Sequence, residues 1–154
     1  MDWNRIIDLP LWERIGLCIF CGFIVGMERQ LHKKPIDVRT SVLICLGTMV
    51  FIYLGELLGG EKDPTRVLGQ VASGIGFLGA GAIITRQGLV TGMTSASVVW
   101  VLAGIGAAVG FGFYETGLAV SFVTVFILSG LHWIENHTER LIKKKNGGQA
   151  QGME

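Results

Sequence analysis

Charged residues make up only 16% of this 154-residue chain, prolines number three, and the formal net charge is +1. A soluble globular chain carries about 25% charged residues, and one this short has too little interior to hide so much apolar surface. The lack of a basic excess argues against a nucleic-acid-binding module. Cysteine is sparse too. Cys18, Cys21 and Cys45 are odd in number and set in apolar runs, which excludes a secreted disulfide framework and leaves them as small buried hydrophobes. Cys18-x-x-Cys21 has the spacing of a zinc or redox half-site, but no second pair completes a tetrahedral shell. His32, His132 and His137 likewise have no partners at ligand spacing. No G-x-S-x-G, H-E-x-x-H or Walker-type sequence is present, so the chain is read as no enzyme and no cofactor is expected.

What the chain has is apolar sequence and glycine: half of its residues are hydrophobic, 23 are glycine, and the mean hydropathy is +0.52. The glycines follow no collagen period. An α-helix crosses hydrocarbon with about 20 residues, and five stretches qualify, at about 11–27, 40–58, 66–86, 94–112 and 115–134. The expectation is an all-α membrane protein, a bundle of five transmembrane helices forming a single domain over 1–142. Residues 143–154 follow as a short basic, then flexible, cytoplasmic tail. No A-x-A cleavage site closes the first apolar run, so that segment is expected to stay as an anchor. Five spans place the termini on opposite sides. Arg5, Arg14, Lys62 and Arg66 lie on one side, against Arg29, Lys33, Lys34, Arg39, Arg86, Arg140 and Lys143 to Lys145 on the other. The positive-inside rule therefore predicts the N-terminus outside and the C-terminus in the cytoplasm.

The third and fourth segments are built mainly from glycine, alanine and serine, residues that let helices approach closely in lipid. On the third, Gly69, Ala72, Gly76, Gly79, Ala80 and Ile83 share a small-residue face, with Gly74 and Gly81 among the candidate packing positions. Val67, Leu68, Val71, Ile75 and Leu78 form a bulky face expected to meet lipid. Gly104 and Ala108 are the packing candidates on the fourth, and both helices are predicted at the bundle centre. A polar strip, Arg66, Gln70 and Ser73 with Phe77 beneath it, runs between the faces of the third helix and needs a protein or water partner. Gly74, Gly76 and Gly79 also spell G-x-G-x-x-G, but no strand precedes them and the motif sits inside a helix, so helix packing is preferred to nucleotide binding.

Two charge clusters lie near helix ends. Glu13, Glu56, Glu61, Asp63 and Glu115 form an outer acidic group interspersed with Arg14, Lys62 and Arg66. Interfacial ion pairing accounts for it, and Glu56, Glu61, Asp63 and Glu115 are the weak candidates for holding Mg²⁺. The inner group is Glu28-Arg29, Arg39-Thr40 and Arg86, where a Glu28–Arg39 pair is expected to pin the first two helices.

Three blocks resemble the MgtC/SapB family of bacterial membrane proteins. The first is Gly26-Met27-Glu28-Arg29-Gln30 with Lys34, Arg39-Thr40 and Leu46-Gly47. The second is Asp63, Arg66 and the run Gln70 to Gly81. The third is Gly92-Met93-Thr94-Ser95-Ala96 with Trp100 and Gly106. The resemblance spans about residues 22–117. It implies a multi-pass bacterial inner-membrane protein tied to growth at low Mg²⁺, a regulator of other membrane proteins such as the ATP synthase or a Mg²⁺ transporter. Matched by position, its polar residues are Glu28, Arg39, Thr40, Asp63, Arg66, Gln70 and Thr94, to which the strip adds Ser73. Many members continue into an ACT-like domain, whereas this chain ends shortly after Lys145. Asp37 stands where the family commonly has glycine, and Thr91 replaces a basic residue. The first functional reading is a partner-binding regulator, a homodimer or other homo-oligomer associating through its small-residue faces in the bilayer. The alternative is a small Mg²⁺ or other ion transporter or channel that uses the polar strip of the third helix. Its weakness is that Arg66 at the mouth repels Mg²⁺ and no carboxylate lies in mid-span.

Overall fold

The computed structural model describes residues 9–59, 65–86 and 89–130. Among them are five helices: α1 (Leu9–Leu31), α2 (Val38–Gly59), α3 (Thr65–Gly81), α4 (Met93–Gly110) and α5 (Tyr114–Gly130). A two-stranded antiparallel hairpin, β1 (Ile84–Arg86) and β2 (Leu89–Thr91), joins α3 to α4 with Ile84 opposite Thr91. By length and composition, α1, α2 and α4 can each cross a membrane, while α5 is a shorter apolar helix. Glu61, Lys62, Asp63, His132, His137, the end of the fifth predicted span and the basic tail lie outside the described residues.

Local chemistry sets the first corner. Pro35 cannot continue α1, and the chain leaves the helix through Lys33, which sits at φ 52°. The Lys34 N–H donates to Arg29 O at 3.0 Å and the Lys33 N–H to Gln30 O at 3.1 Å, the paired bonds of a Schellman ending. Asp37 then caps α2: its Oδ1 accepts from the Thr40 N–H at 2.9 Å and from Thr40 Oγ1 at 2.8 Å. The Asp37 carboxyl is held below its ordinary range by these two bonds, the backbone one first.

α4 sits at the centre, packed on α1 and α2. Its Val98, Val99, Leu102, Ile105 and Val109 are buried against Cys18, Cys21 and Val25 of α1 and Ile44, Cys45 and Met49 of α2. Close approach is made possible by glycines, Gly26 and Gly106 among them. A Cβ at Gly26 would collide with Val38 Cα and the Ser41 side chain, and one at Gly106 would collide with Cys45 O, with Thr48 Cβ at 2.9 Å. The three cysteines are free and buried, as small core residues are. Cys45 Sγ donates to Leu102 O at 3.3 Å. At the opposite end from Glu28, Arg14 ties four helices together. Its Nη1 donates to Gly110 O at 2.8 Å and lies 3.5 Å from Glu56 Oε2, its Nε is 3.5 Å from the Tyr114 hydroxyl, and its guanidinium stacks 4.9 Å from the centre of the Tyr53 ring. The bond to Gly110 O satisfies a carbonyl that α4's end leaves without an intrahelical partner.

Three expectations about the third segment are corrected. The helix stops at Gly81, not at 86, because Ile84, Thr85, Val90 and Thr91 are β-branched and flank Gln87-Gly88, which favours a hairpin over another helical turn. α3 is peripheral rather than central: its one buried residue is Gly79, 3.6 Å from Ala96 O through its would-be Cβ. Its faces are also turned relative to the expectation. Val67, Val71 and Ile75 point inward and are half-buried, whereas Gly69, Gly74, Gly76 and Gly81 have nothing from the rest of the chain within 4 Å. Bulky side chains fill the space between α3 and α2, and the small-residue face divides: Ala72 and Gly79 turn toward α4, while Gly69, Gly76 and Ala80 are left uncovered.

Candidate functional site

At the end of the bundle where α1 finishes and α4 begins, a polar chamber of about 390 Å³ is walled by Glu28, Arg29, His32 and Lys34 from the first corner. Thr91, Gly92, Thr94 and Ser95 close it from the α4 side, Ala82 and Ile84 from the segment leaving α3, and Leu128 from α5. α1 places Glu28 and Arg29 one turn before its end, and the Schellman corner brings Lys34 back over them. Gly92 turns the hairpin into α4 at φ 89°, in space where a Cβ would collide with Ala82 O. Only glycine fits there, for both reasons.

The charges inside are sheltered. Glu28 and Arg29 are 6% and 3% exposed, and Arg29 Nη2 donates to Ser95 Oγ at 2.9 Å, linking α1 to α4. Arg29 Nη1 lies 3.9 Å from Glu28 Oε2, an ion pair too long to be a hydrogen bond. His32 Nδ1 lies 2.8 Å from Glu28 O and 3.1 Å from Glu28 Oε1. Among the described residues, Glu28 Oε2 and Arg29 Nε are buried without a hydrogen-bond partner. A buried charge this incompletely matched is costly, so the chamber is where the fold keeps polar groups that packing alone does not require.

Of the residues singled out from sequence, Glu28 and Thr94 meet in this chamber. The expected Glu28–Arg39 pair is not formed: Glu28 is engaged by Arg29 and His32, and Arg39 is exposed on the first turn of α2. The short turn between the helices points Arg39 away, while His32 lies one helical turn from Glu28 on its own face. Thr40 is occupied with the Asp37 cap and also lines a larger, apolar groove of about 630 Å³ between α2 and α3, together with Gln70 and Gly74. Arg66, Gln70 and Ser73 are exposed on α3, with Ser73 Oγ donating to Gly69 O at 3.0 Å, and Phe77 is 83% exposed beside them. Asp63 lies outside the described residues.

The packing candidates divide. Gly79 is buried; Ala72 and Gly104 line a small apolar groove between α3 and α4; Ala80 is exposed and Ala108 half-buried. Of the metal candidates, Glu56 faces Arg14, Glu115 is exposed, and Glu61 and Asp63 are not described. No group of three metal-ligating side chains is found among the described residues. Sequence reasoning did not pick out Arg29, His32 and Ser95 as a unit, nor Arg14 as the tie at the other end. The signal for the first was the Glu28-Arg29 pair at the very end of an apolar run, where two charges need partners.

A family model described as the MgtC family matches residues 15–137, which takes in the chamber, the hairpin, most of α1 and all of the other four described helices. The chain belongs to the MgtC family. It is a membrane protein, consistent with its apolar helices. YhiD of Escherichia coli (strain K12) is 39% identical over 134 residues, covering 82% of this chain and 60% of that protein. SrpB of Synechococcus elongatus is 32% identical over 161 residues, covering 92% and 86%. MgtC of Salmonella typhimurium (strain LT2) is 35% identical over 121 residues, covering 78% and 52%. This family member therefore spans about 60% of the length of YhiD and about half that of MgtC. No solved structure matches it.

Proposed function

We propose that this chain is a Mg²⁺-linked, non-enzymatic regulator of the bacterial inner membrane that acts by docking α3 against another membrane protein or a second copy of itself. The Mg²⁺ link comes from its family and from YhiD, which carries a provisional magnesium-transporter name. The observation that carries the docking is α3's outward face, where Gly69 and Gly76 meet nothing within 4 Å and Phe77 is 83% exposed. Small residues with a polar Gln70 and Ser73 beside them are what a partner helix packs on in lipid. The proposal includes a single transmembrane domain over 1–142 with five spans, N-terminus outside. In that arrangement Arg29, Lys33, Lys34 and Arg39 sit on the cytoplasmic side, and α3 and α5, 17 residues each, reach about 26 Å.

The transporter alternative needs the Arg66, Gln70 and Ser73 strip to line a path, but Arg66 and Ser73 are on α3's exposed side while Gln70 borders the groove beside α2. A second copy facing it would be required to enclose any pore. The test is Mg²⁺ entry into sealed proteoliposomes, read by an internal dye beside protein-free vesicles and an Arg66→Gln variant. Entry equal to empty vesicles is expected, and uptake that Arg66→Gln alters overturns the regulator reading. A Phe77→Cys variant treated with a bis-maleimide in native membranes is expected to give a cross-linked dimer or heteromer. Recovery of monomer alone, with the introduced thiol shown to have reacted, counts against docking through α3.

A further inference from the structure

The amino end of α4 opens into the polar chamber. α4 is an 18-residue helix whose cap residue, Gly92, offers no side-chain cap bond, so its first N–H groups, which have no intrahelical carbonyls, receive no oxygen from a cap side chain. α2 differs in this respect, because Asp37 caps it with a carboxylate. An uncapped helix start carries partial positive charge and favours an anion. The second, independent observation is Arg29. It is buried to all but 3%, it lines the same chamber, and its Nε has no hydrogen-bond partner. Among the described residues its guanidinium is matched by a neutral hydroxyl, Ser95 Oγ at 2.9 Å, and by Glu28 at 3.9 Å. Lys34 adds a further cation at the rim and Thr91 and Thr94 add hydroxyls. Glu28 offsets one positive charge, which leaves Lys34 and the helix end in excess.

We propose that the chamber bounded by Arg29, Lys34, Thr94, Ser95 and the amino end of α4 is a binding site for a phosphate group. Its volume of about 390 Å³ holds such a group with room to spare, and backbone N–H donors with a nearby guanidinium suit a tetrahedral oxyanion. The phosphate can come from solution, as inorganic phosphate or a small ester, or from the headgroup of an anionic lipid, since Leu128 and Ile84 give one wall an apolar surface. A bare divalent cation is disfavoured there by Arg29 and Lys34. The site stands apart from the docking role proposed for α3, and either can fail without the other.

The experiment uses the full chain in dodecyl maltoside, whose headgroup has no phosphate. One arm measures radiolabelled inorganic phosphate by equilibrium dialysis; the other measures phosphatidylglycerol retained in native mass spectra. Folding of each variant is checked by circular dichroism and elution volume. Lys34→Gln, an exposed change, is expected to weaken binding about 3- to 5-fold through loss of one nearby charge. Arg29→Gln is expected to weaken it at least about 10-fold, and Lys33→Gln, which does not line the chamber, to leave it unchanged. Phosphate bound in the first arm assigns the solution source, and phosphatidylglycerol retained without it assigns the lipid. Folded wild-type protein that holds neither, or binding that Lys34→Gln leaves unchanged, overturns the proposal.

Discussion

Replacing Gly106 by alanine tests the packing of the bundle most directly. The added Cβ would collide with the Cys45 carbonyl oxygen and lie 2.9 Å from Thr48 Cβ and 3.0 Å from Cys45 Cα. Two of these three atoms are backbone, so no rotamer change relieves the clash, and α2 and α4 must separate. Overpacking of this kind costs about 1–3 kcal/mol. Separation also loosens contacts around Cys45, Met49 and Leu102, which are buried together, so the upper end of that range is expected. For a chain of this size, about 2–3 kcal/mol corresponds to a fall in Tm of roughly 5–10 °C. The assay is thermal unfolding in detergent with a thiol-reactive fluorogenic dye, because Cys18, Cys21 and Cys45 are all free and buried and become reactive only as the bundle opens. Gly104→Ala is the matched control, since nothing lies within 4 Å of its would-be Cβ. It is expected to hold or slightly raise Tm, as alanine is the better helix former. Equal dye-reaction midpoints for Gly106→Ala and wild type would refute the close α2–α4 approach.

Other outcomes follow from single residues. Lys33 holds an αL conformation at φ 52°, so Lys33→Gly relieves about 1 kcal/mol of backbone strain and is expected to raise Tm by a few degrees. Arg14→Gln loses the bond to Gly110 O and the ring contact with Tyr53, and a cost of about 1–3 kcal/mol should be seen as a lower Tm in the same dye assay. Asp37 has a folded-state pKa below its ordinary value, so its cap contributes stability above about pH 4 that is lost as pH falls through the lower folded value. Wild type is therefore expected to exceed Asp37→Ala in Tm at pH 6, and the gap to narrow as pH falls below about 4. A constant gap across that range would contradict the cap.

Much of the architecture is legible in the residues because a bilayer demands long apolar helices, and α1, α2 and α4 were readable on that ground alone. α1 and α2 extend past the apolar runs at both ends, since the Lys33 corner and the Asp37 cap lie beyond the residues that hydropathy picks out. The hairpin was hidden by the same criterion: Ile83, Ile84 and Thr85 prolong an apolar stretch, and only their β-branching distinguishes them from another helical turn. The orientation of α3 could not be read from its pattern, because in lipid both a bulky face and a small-residue face can point outward. Neighbours decide, and Val67 against Gly55 on α2 is a contact that no periodicity reveals. Gly26 and Gly106 were visible as motif letters, but their use as close-approach points depends on α2 lying across both. The chamber was half legible. Glu28 and Thr94 belonged to motifs, whereas the Arg29–Ser95 bond joins residues 66 apart in sequence and exists only once α1 and α4 have packed.

The segment that leaves α3 has a mechanical consequence. Ala82 and Ile84 continue directly from α3's last turn and form part of the chamber wall. The wall and the end of α3 are thus one run of backbone, so a substitution that displaces the last turn of α3 carries Ala82 with it and alters the space around Arg29 and Thr94.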